Sequence, residues 1–165
     1  GGGKSTLLRA MLASGLNVEA GHLVYVPQEV DIDRSRQLLA AARAMPRDRL
    51  GQLMTVVSCL NSRPDRLLES ELPSPGEVRK LLLAEGIVRE PHLIVMDEPT
   101  NHMDLPSIEC LETALQGCPC ALLLVSHDER FIQGLATKRW DVSWVGAPGK
   151  PDGSDAQLLV QDLCQ

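Results

Sequence analysis

Hydrophobic residues along the chain come in two rhythms, and their alternation predicts the architecture. Between Ser5 and Leu16, Leu7, Leu8, Met11, Leu12 and Leu16 recur at helical spacing, and "HLVYV" at 22 to 26 then has the short apolar character of a strand, closed by Pro27. From Asp31 to Leu72 strand signals vanish. "RSRQLLAAARAM", "RDRLGQLMTVVSCL" and "RPDRLLES" read instead as short helices separated by Pro46 and by Pro64. Beyond them "EVRKLLLAEGIV" is helical, "HLIVM" at 92 to 96 is a strand, "LPSIECLETAL" a helix, "ALLLV" a strand, "DERFIQGLA" a helix and "RWDVSWV" another strand. Pro148 to Asp155 reads as a turn-rich loop before a short apolar tail. The predicted class is α/β with an all-helical insert.

Composition narrows the picture. A chain of 165 residues is one ordinary domain, able to bury roughly 70% of its unfolded surface. It is 44% hydrophobic but only 2% aromatic, so its core must be aliphatic. The net charge of -6 argues against a basic nucleic-acid face on this segment. Tyr25, Phe131, Trp140 and Trp144 are too few for a base-stacking platform. The longest apolar runs, such as "ALLLV", are strand-sized and far short of a transmembrane segment. Cys59, Cys110, Cys118, Cys120 and Cys164 include the pair in "CPC", but no second ligand pair follows at zinc-finger distance. They read as reduced thiols of a cytosolic protein.

The chemistry starts at the first residues. "GGGKST" holds the last members of a phosphate-binding loop, G-x-x-x-x-G-K-[ST]. If Gly3, Lys4 and Ser5 are its final three, the loop's first glycine falls three places before Gly1, so the sequence reads as a fragment of a longer chain. Glycines let backbone amides curl around phosphate oxygens, the following helix adds positive potential, Lys4 reaches the phosphates and Ser5 can ligate magnesium. Taken alone, such a half motif is no better than even odds against a chance Lys-Ser-Thr. "HLIVMDEPTNHMD" changes the odds, because apolar Leu93, Ile94, Val95 and Met96 run straight into two acids. Buried strands of α/β sheets end where ligand binds. Asp97 is therefore placed to hold magnesium, and Glu98 to orient and polarise an attacking water. A further strand ends in "SHDE", which makes His127 a candidate γ-phosphate contact.

In this order these residues resemble the nucleotide-binding domain of ATP-binding cassette (ABC) proteins, and "EPTNHMDLPS" looks most like the F subfamily, ABC-F. The resemblance covers nearly the whole chain. It implies a P-loop NTPase core, a mainly parallel sheet flanked by helices, with a helical subdomain over residues 29–73 inserted between Q-loop and signature. Residues 1–165 would form a single partial cassette. "GGGKST" then matches the end of the P-loop, with Gly1, Gly2, Gly3, Lys4, Ser5 and Thr6 at the nucleotide. "YVPQE" resembles the Q-loop, giving Gln28 a place at magnesium and the attacking water. "IVMDEP" matches the Walker B strand with Glu98 as catalytic glutamate, "NHMD" the D-loop and "VSHD" the switch histidine.

"PSPGEVRK" stands where the signature LSGGQ would be, aligning Ser74, Gly76 and Glu77 with Ser, the second Gly and Gln. Pro73 and Pro75 depart from that pattern, and Pro75 removes one amide that could face a γ-phosphate. Proline nevertheless suits a first helical turn, so the altered signature is expected to remain usable. The short distance from Lys4 to Gln28 also leaves little room for the antenna strands usual in the family. The resemblance implies ATP and Mg2+ as cofactors, a cytoplasmic location, and a second cassette as partner, since the family sandwiches ATP between one domain's P-loop and the other's signature. Contact with the ribosome or tRNA would fall to regions outside these residues. Three readings stay open: the second cassette of an F-subfamily ATPase acting in translation or antibiotic protection, the ATPase subunit of a membrane transporter, and a non-catalytic remnant.

Overall fold

The computed structural model describes residues 3–144 and 156–162. Its centre is a parallel sheet of β1 (Leu23–Val26), β2 (Leu93–Asp97) and β3 (Ala121–Val125), in the spatial order β1-β2-β3. The register is level across all three strands, with Val26 opposite Met96 and Met96 opposite Leu124. β2 is paired on both edges, and its Ile94, Val95 and Met96 are fully buried. A strand covered on both faces admits only apolar side chains, which is why the sequence there is an unbroken aliphatic run.

Helices supply the cover, and their starts are written in local chemistry. α1 (Lys4–Ser14) packs against β3. The helical insert consists of α2 (Ile32–Arg43), α3 (Arg47–Cys59) and α4 (Pro64–Glu69). Asp31 caps α2 by accepting the Arg34 N–H at 2.7 Å, Pro46 stands immediately before α3, and Pro64 opens α4. The two prolines mark helix starts because a missing N–H costs nothing in a first turn. α5 (Pro75–Ile87) links insert and sheet by packing on α2, α3 and β1. α6 (Leu105–Gln116) and α7 (Glu129–Leu135) pack together and are capped by Asp104 and Asp128. Leu38, Leu53, Val57 and Leu60 from the insert join Leu81, Ile94 and Leu111 in one aliphatic core.

One element differs from expectation. The apolar tail is a strand, β5 (Ala156–Asp162), pairing antiparallel with β4 (Lys138–Trp144) in a separate two-stranded sheet. Local pattern hid it because its pairing partner is β4 and not the parallel sheet. The predicted turn-rich loop at 148–155 lies outside the described residues. Between β3 and β4 runs a cavity of about 770 Å³, lined along one side by Ala121 to Val125.

The α5–β1 contact depends on one glycine. A Cβ on Gly86 would meet the two methyl carbons of Val24 at 2.4 and 2.5 Å, and a valine on a strand has little freedom to give way. Overpacking of this kind costs ~1–3 kcal/mol, against ~1 kcal/mol that Ala gains over Gly in a helix. Gly86→Ala is therefore expected to lower stability in urea unfolding, and Val24→Ala to recover part of the loss when combined with it. Simple additivity of the two substitutions would show that the contact is not tight.

Candidate functional site

Level register brings the ends of all three parallel strands to one edge. Gln28 lies two residues past β1, Asp97 closes β2, and Ser126 and His127 follow β3. The start of α1 joins them there. Gly3 has φ +75° and ψ -1°, a left-handed conformation that glycine adopts without steric cost. No side chain among the described residues caps this helix, so its first-turn amides at Lys4, Ser5 and Thr6 face outward to whatever anion binds. Gly1 and Gly2, expected beside them at the phosphates, lie outside the described residues.

Ser5 and Asp97 come together although far apart in sequence. The Ser5 hydroxyl donates to Asp97 Oδ1 at 3.0 Å, and Asp97 is only 1% exposed. A hydroxyl and a carboxylate oxygen side by side at a helix N-terminus form the hard-oxygen donor set that Mg2+ prefers. The residues present therefore fit the ion, with Ser5 and Asp97 as its holders. Gln28 is exposed at the same edge.

Glu98 is held by its neighbour strand. Its N–H donates to the Val125 carbonyl at 2.7 Å, and its Oε2 accepts the His127 N–H at 3.3 Å. The backbone sits at φ +50°, an uncommon conformation for glutamate that stores strain and occurs preferentially at functional sites. The carboxylate is nearly buried, whereas the His127 side chain is largely exposed with Nε2 3.4 Å from Glu98 Oε1. Lys4, Ser126 and His127 all line the cavity that runs beside β3.

Ser74, Gly76 and Glu77 form a second group at the start of α5. Ser74 is the N-cap, accepting the Glu77 N–H at 3.3 Å, and Pro75 is the first helical residue. Gly76 is buried, and a Cβ there would lie 3.0 Å from the His102 carbonyl oxygen. The segment thus rests closely on the loop after Glu98, where a side chain would push the His102 carbonyl aside by a few tenths of an ångström. Glu77 turns inward, accepting from the Ser62 hydroxyl and pairing with Lys80 at 3.4 Å.

Two residues that sequence reasoning passed over join the groups. Arg79 is fully buried and donates from one terminal nitrogen to the Glu98 carbonyl at 2.8 Å and from the other to the Asn101 carbonyl. Burial lowers its pKa from the usual arginine range. Lys80, also buried, donates to the Ser107 hydroxyl at 2.8 Å and the Asn61 carbonyl at 3.1 Å. Their signal was two adjacent cations directly before the apolar run Leu81 to Ala84, a pattern that also describes a solvated face. Ser107 in turn binds Asp104, and its hydrogen bond holds that carboxyl below the usual range.

No protein-family model matches the chain. Individual relatives do. The chain is 34% identical over 140 residues to ATP-binding protein Uup of Caulobacter vibrioides, a match spanning 80% of this chain and 22% of that protein. It is 32% identical over 155 residues to the YdiF ATP-binding protein of Bacillus subtilis, spanning 86% of this chain and 24% of YdiF. Zinc import ATP-binding protein ZnuC of Histophilus somni is 31% identical over 148 residues, spanning 80% of this chain and 55% of ZnuC. The chain thus spans about a quarter of two of these relatives and about half of the third. An ATP-binding subunit of an ABC transporter has the same fold, with a TM-score of 0.60 at 19% identity over 83% of this chain and 68% of that one. A metal-chelate type ABC transporter in an inward-facing conformation gives 0.57 at 22% identity, over 85% and 64% of the two chains. Strand order, the Ser5–Asp97 pair and these likenesses together make this chain an ABC-type ATP-binding cassette domain. Its fold class is the α/β core with parallel sheet and helical insert read from the sequence.

The Arg79 clamp generates a prediction. Hydrogen bonds from a charged donor are worth ~1.5–3 kcal/mol each, so Arg79→Met should destabilise the domain by about 3 kcal/mol. Arg79→Lys should recover little, because an ammonium cannot span two carbonyls as a planar fork does. Urea unfolding of both variants decides; a lysine variant as stable as the parent would show that charge alone suffices.

Proposed function

We propose that this domain binds and hydrolyses ATP as a cassette of the F subfamily, the second of two in a longer chain that works on the ribosome in translation or antibiotic protection. The observation that carries the catalytic part is Glu98. Its carboxylate is fixed by the His127 amide beside the Ser5–Asp97 pair, where an attacking water must be aligned with a γ-phosphate. The Lys4 ammonium and first-turn amides of α1 take the phosphates, with Thr6 and Gly3 completing that turn. Bound Mg2+ would supply positive charge against the developing negative charge on the phosphate oxygens. Glu98 orients and polarises the water, Gln28, two residues past β1, serves magnesium and that water, and His127 contacts the γ-phosphate from β3. Ser74, Gly76 and Glu77 present the start of α5 to the nucleotide of a partner cassette.

"EPTNHMDL" supports the F-subfamily reading, as does the chain's share of Uup and YdiF, 22% and 24%, which suits one cassette within a two-cassette protein. Such proteins lie in the cytoplasm, and no described helix is long and apolar enough to cross a membrane. The likeness to ZnuC favours a second reading, the ATPase subunit of a membrane transporter, which would use the same catalytic residues.

Replacing Glu98 by Gln in the full-length gene product keeps the shape and removes the carboxylate. Removing a positioning group of this kind costs ~10²-fold or more in rate, while the phosphate contacts remain. Glu98→Gln should therefore retain ATP and accumulate with its cassettes closed, visible by light scattering on a sizing column or by ribosome co-sedimentation. Lys4→Ala should instead lose nucleotide affinity. If Glu98→Gln hydrolyses ATP as fast as the parent, the assignment fails; if the parent neither closes nor turns over, Pro73 and Pro75 have disabled the signature and the cassette is a remnant.

A further inference from the structure

The "CPC" of the chain, unused by the nucleotide site, is built as a unit. Cys118 Sγ and Cys120 Sγ lie 2.8 Å apart, with Cys120 donating its S–H to Cys118. The Cys120 N–H also donates to the Cys118 carbonyl at 2.8 Å, so the backbone turns back on itself around Pro119. That i to i+2 bond defines a γ-turn, and proline's fixed φ suits the common inverse form. The turn is anchored on both sides. The Cys118 N–H donates to Leu115 at the end of α6, and the Ala121 N–H to His92 beside β2. Neither cysteine is enclosed, and both line the cavity between β3 and β4, which gives a small reagent access.

We propose that Cys118 and Cys120 form a redox-active thiol pair that exchanges with low-molecular-weight disulfides of the glutathione type and closes into an intramolecular disulfide. A disulfide needs its sulfurs at ~2.05 Å, so the pair requires only a small approach within a turn already formed. The hydrogen bond sets the order of events. Burial first, then the Cys118 contact, pushes the Cys120 thiol up to about 12, and Cys120, the donor of the S–H contact, directs its proton at Cys118. Cys118 as thiolate attacks one sulfur of the small disulfide, expelling one thiolate that picks up a proton, and a mixed disulfide forms on Cys118. Capping Cys118 removes the hydrogen bond it accepts from Cys120, which relieves part of what raised that thiol. Cys120 then gives up its proton and attacks Cys118 Sγ, breaking the mixed S–S bond and releasing the second small thiol. Two electrons pass from the cysteine pair to the reagent, and two protons leave on the two small thiols.

Exposed Cys59, at the end of α3, serves as an internal comparison. The full chain is incubated with glutathione disulfide, quenched in acid, cut after glutamate, and weighed. The fragment from Thr113 to Glu129 should lose two hydrogens in mass and carry no glutathione, whereas Cys59 should carry one as a mixed disulfide. In Cys120→Ser the mixed disulfide should persist on Cys118, with no resolving thiol to release it. Cys118→Ala and Cys120→Ala, with circular dichroism matched to the parent, separate these effects from misfolding. A parent fragment that takes up glutathione on both sulfurs, or stays unreacted while Cys59 is modified, would overturn the proposal.

Discussion

Everything at the carboxyl edge of the parallel sheet depends on β2 being paired on both sides and covered on both faces. Such a strand must be apolar for its full length, so the first charge can appear only where it leaves the sheet, at Asp97. Level pairing with β1 and β3 then fixes the depth at which the flanking strands end, and that places Gln28 and His127 at the same height. Asp97 cannot sit 1% exposed without a partner, because an unpaired buried carboxylate is costly. Ser5, at the start of α1, meets that need and ties that helix to the sheet.

α5 carries this geometry outward. Its two buried cations reach backbone carbonyls, the Ser107 hydroxyl and the Glu77 carboxylate. Arg79 Nε has no hydrogen-bond partner among the described residues, at a cost of ~1–3 kcal/mol. The return is position. Arg79 fastens the strained turn at Glu98 to α5, whose N-cap is Ser74, so that turn and the start of the helix are held together.

Much of this was legible in the sequence, for physical reasons. Aliphatic runs bounded by turns mark strands without ambiguity when aromatic residues are few, and Pro46 and Pro64 punctuate the insert because proline begins helices. "MDEP" was readable because a fully covered strand tolerates a charge only at the end where it leaves the sheet. What stayed hidden was non-local. β5 is a strand only by virtue of β4, Glu98 adopts φ +50° because the strand beside it takes its amide, and Arg79 looks like any surface cation until α5 is seen to be covered on several sides. Glu77 resembles a signature ligand in sequence, yet its carboxylate is engaged by Ser62 and Lys80, a contact that spacing does not reveal.

The central claim is that the start of α1, Asp97 and Glu98 form one site for MgATP. Backbone amide NMR of the domain during an ATP titration tests it directly, with and without Mg2+. The account predicts saturable shifts concentrated at Lys4, Ser5 and Thr6, with Asp97 and Glu98 moving only when Mg2+ is present. Shifts gathered instead around the cavity of about 470 Å³ between α2, α3 and α5, near Arg49, Glu85 and Arg89, would contradict it.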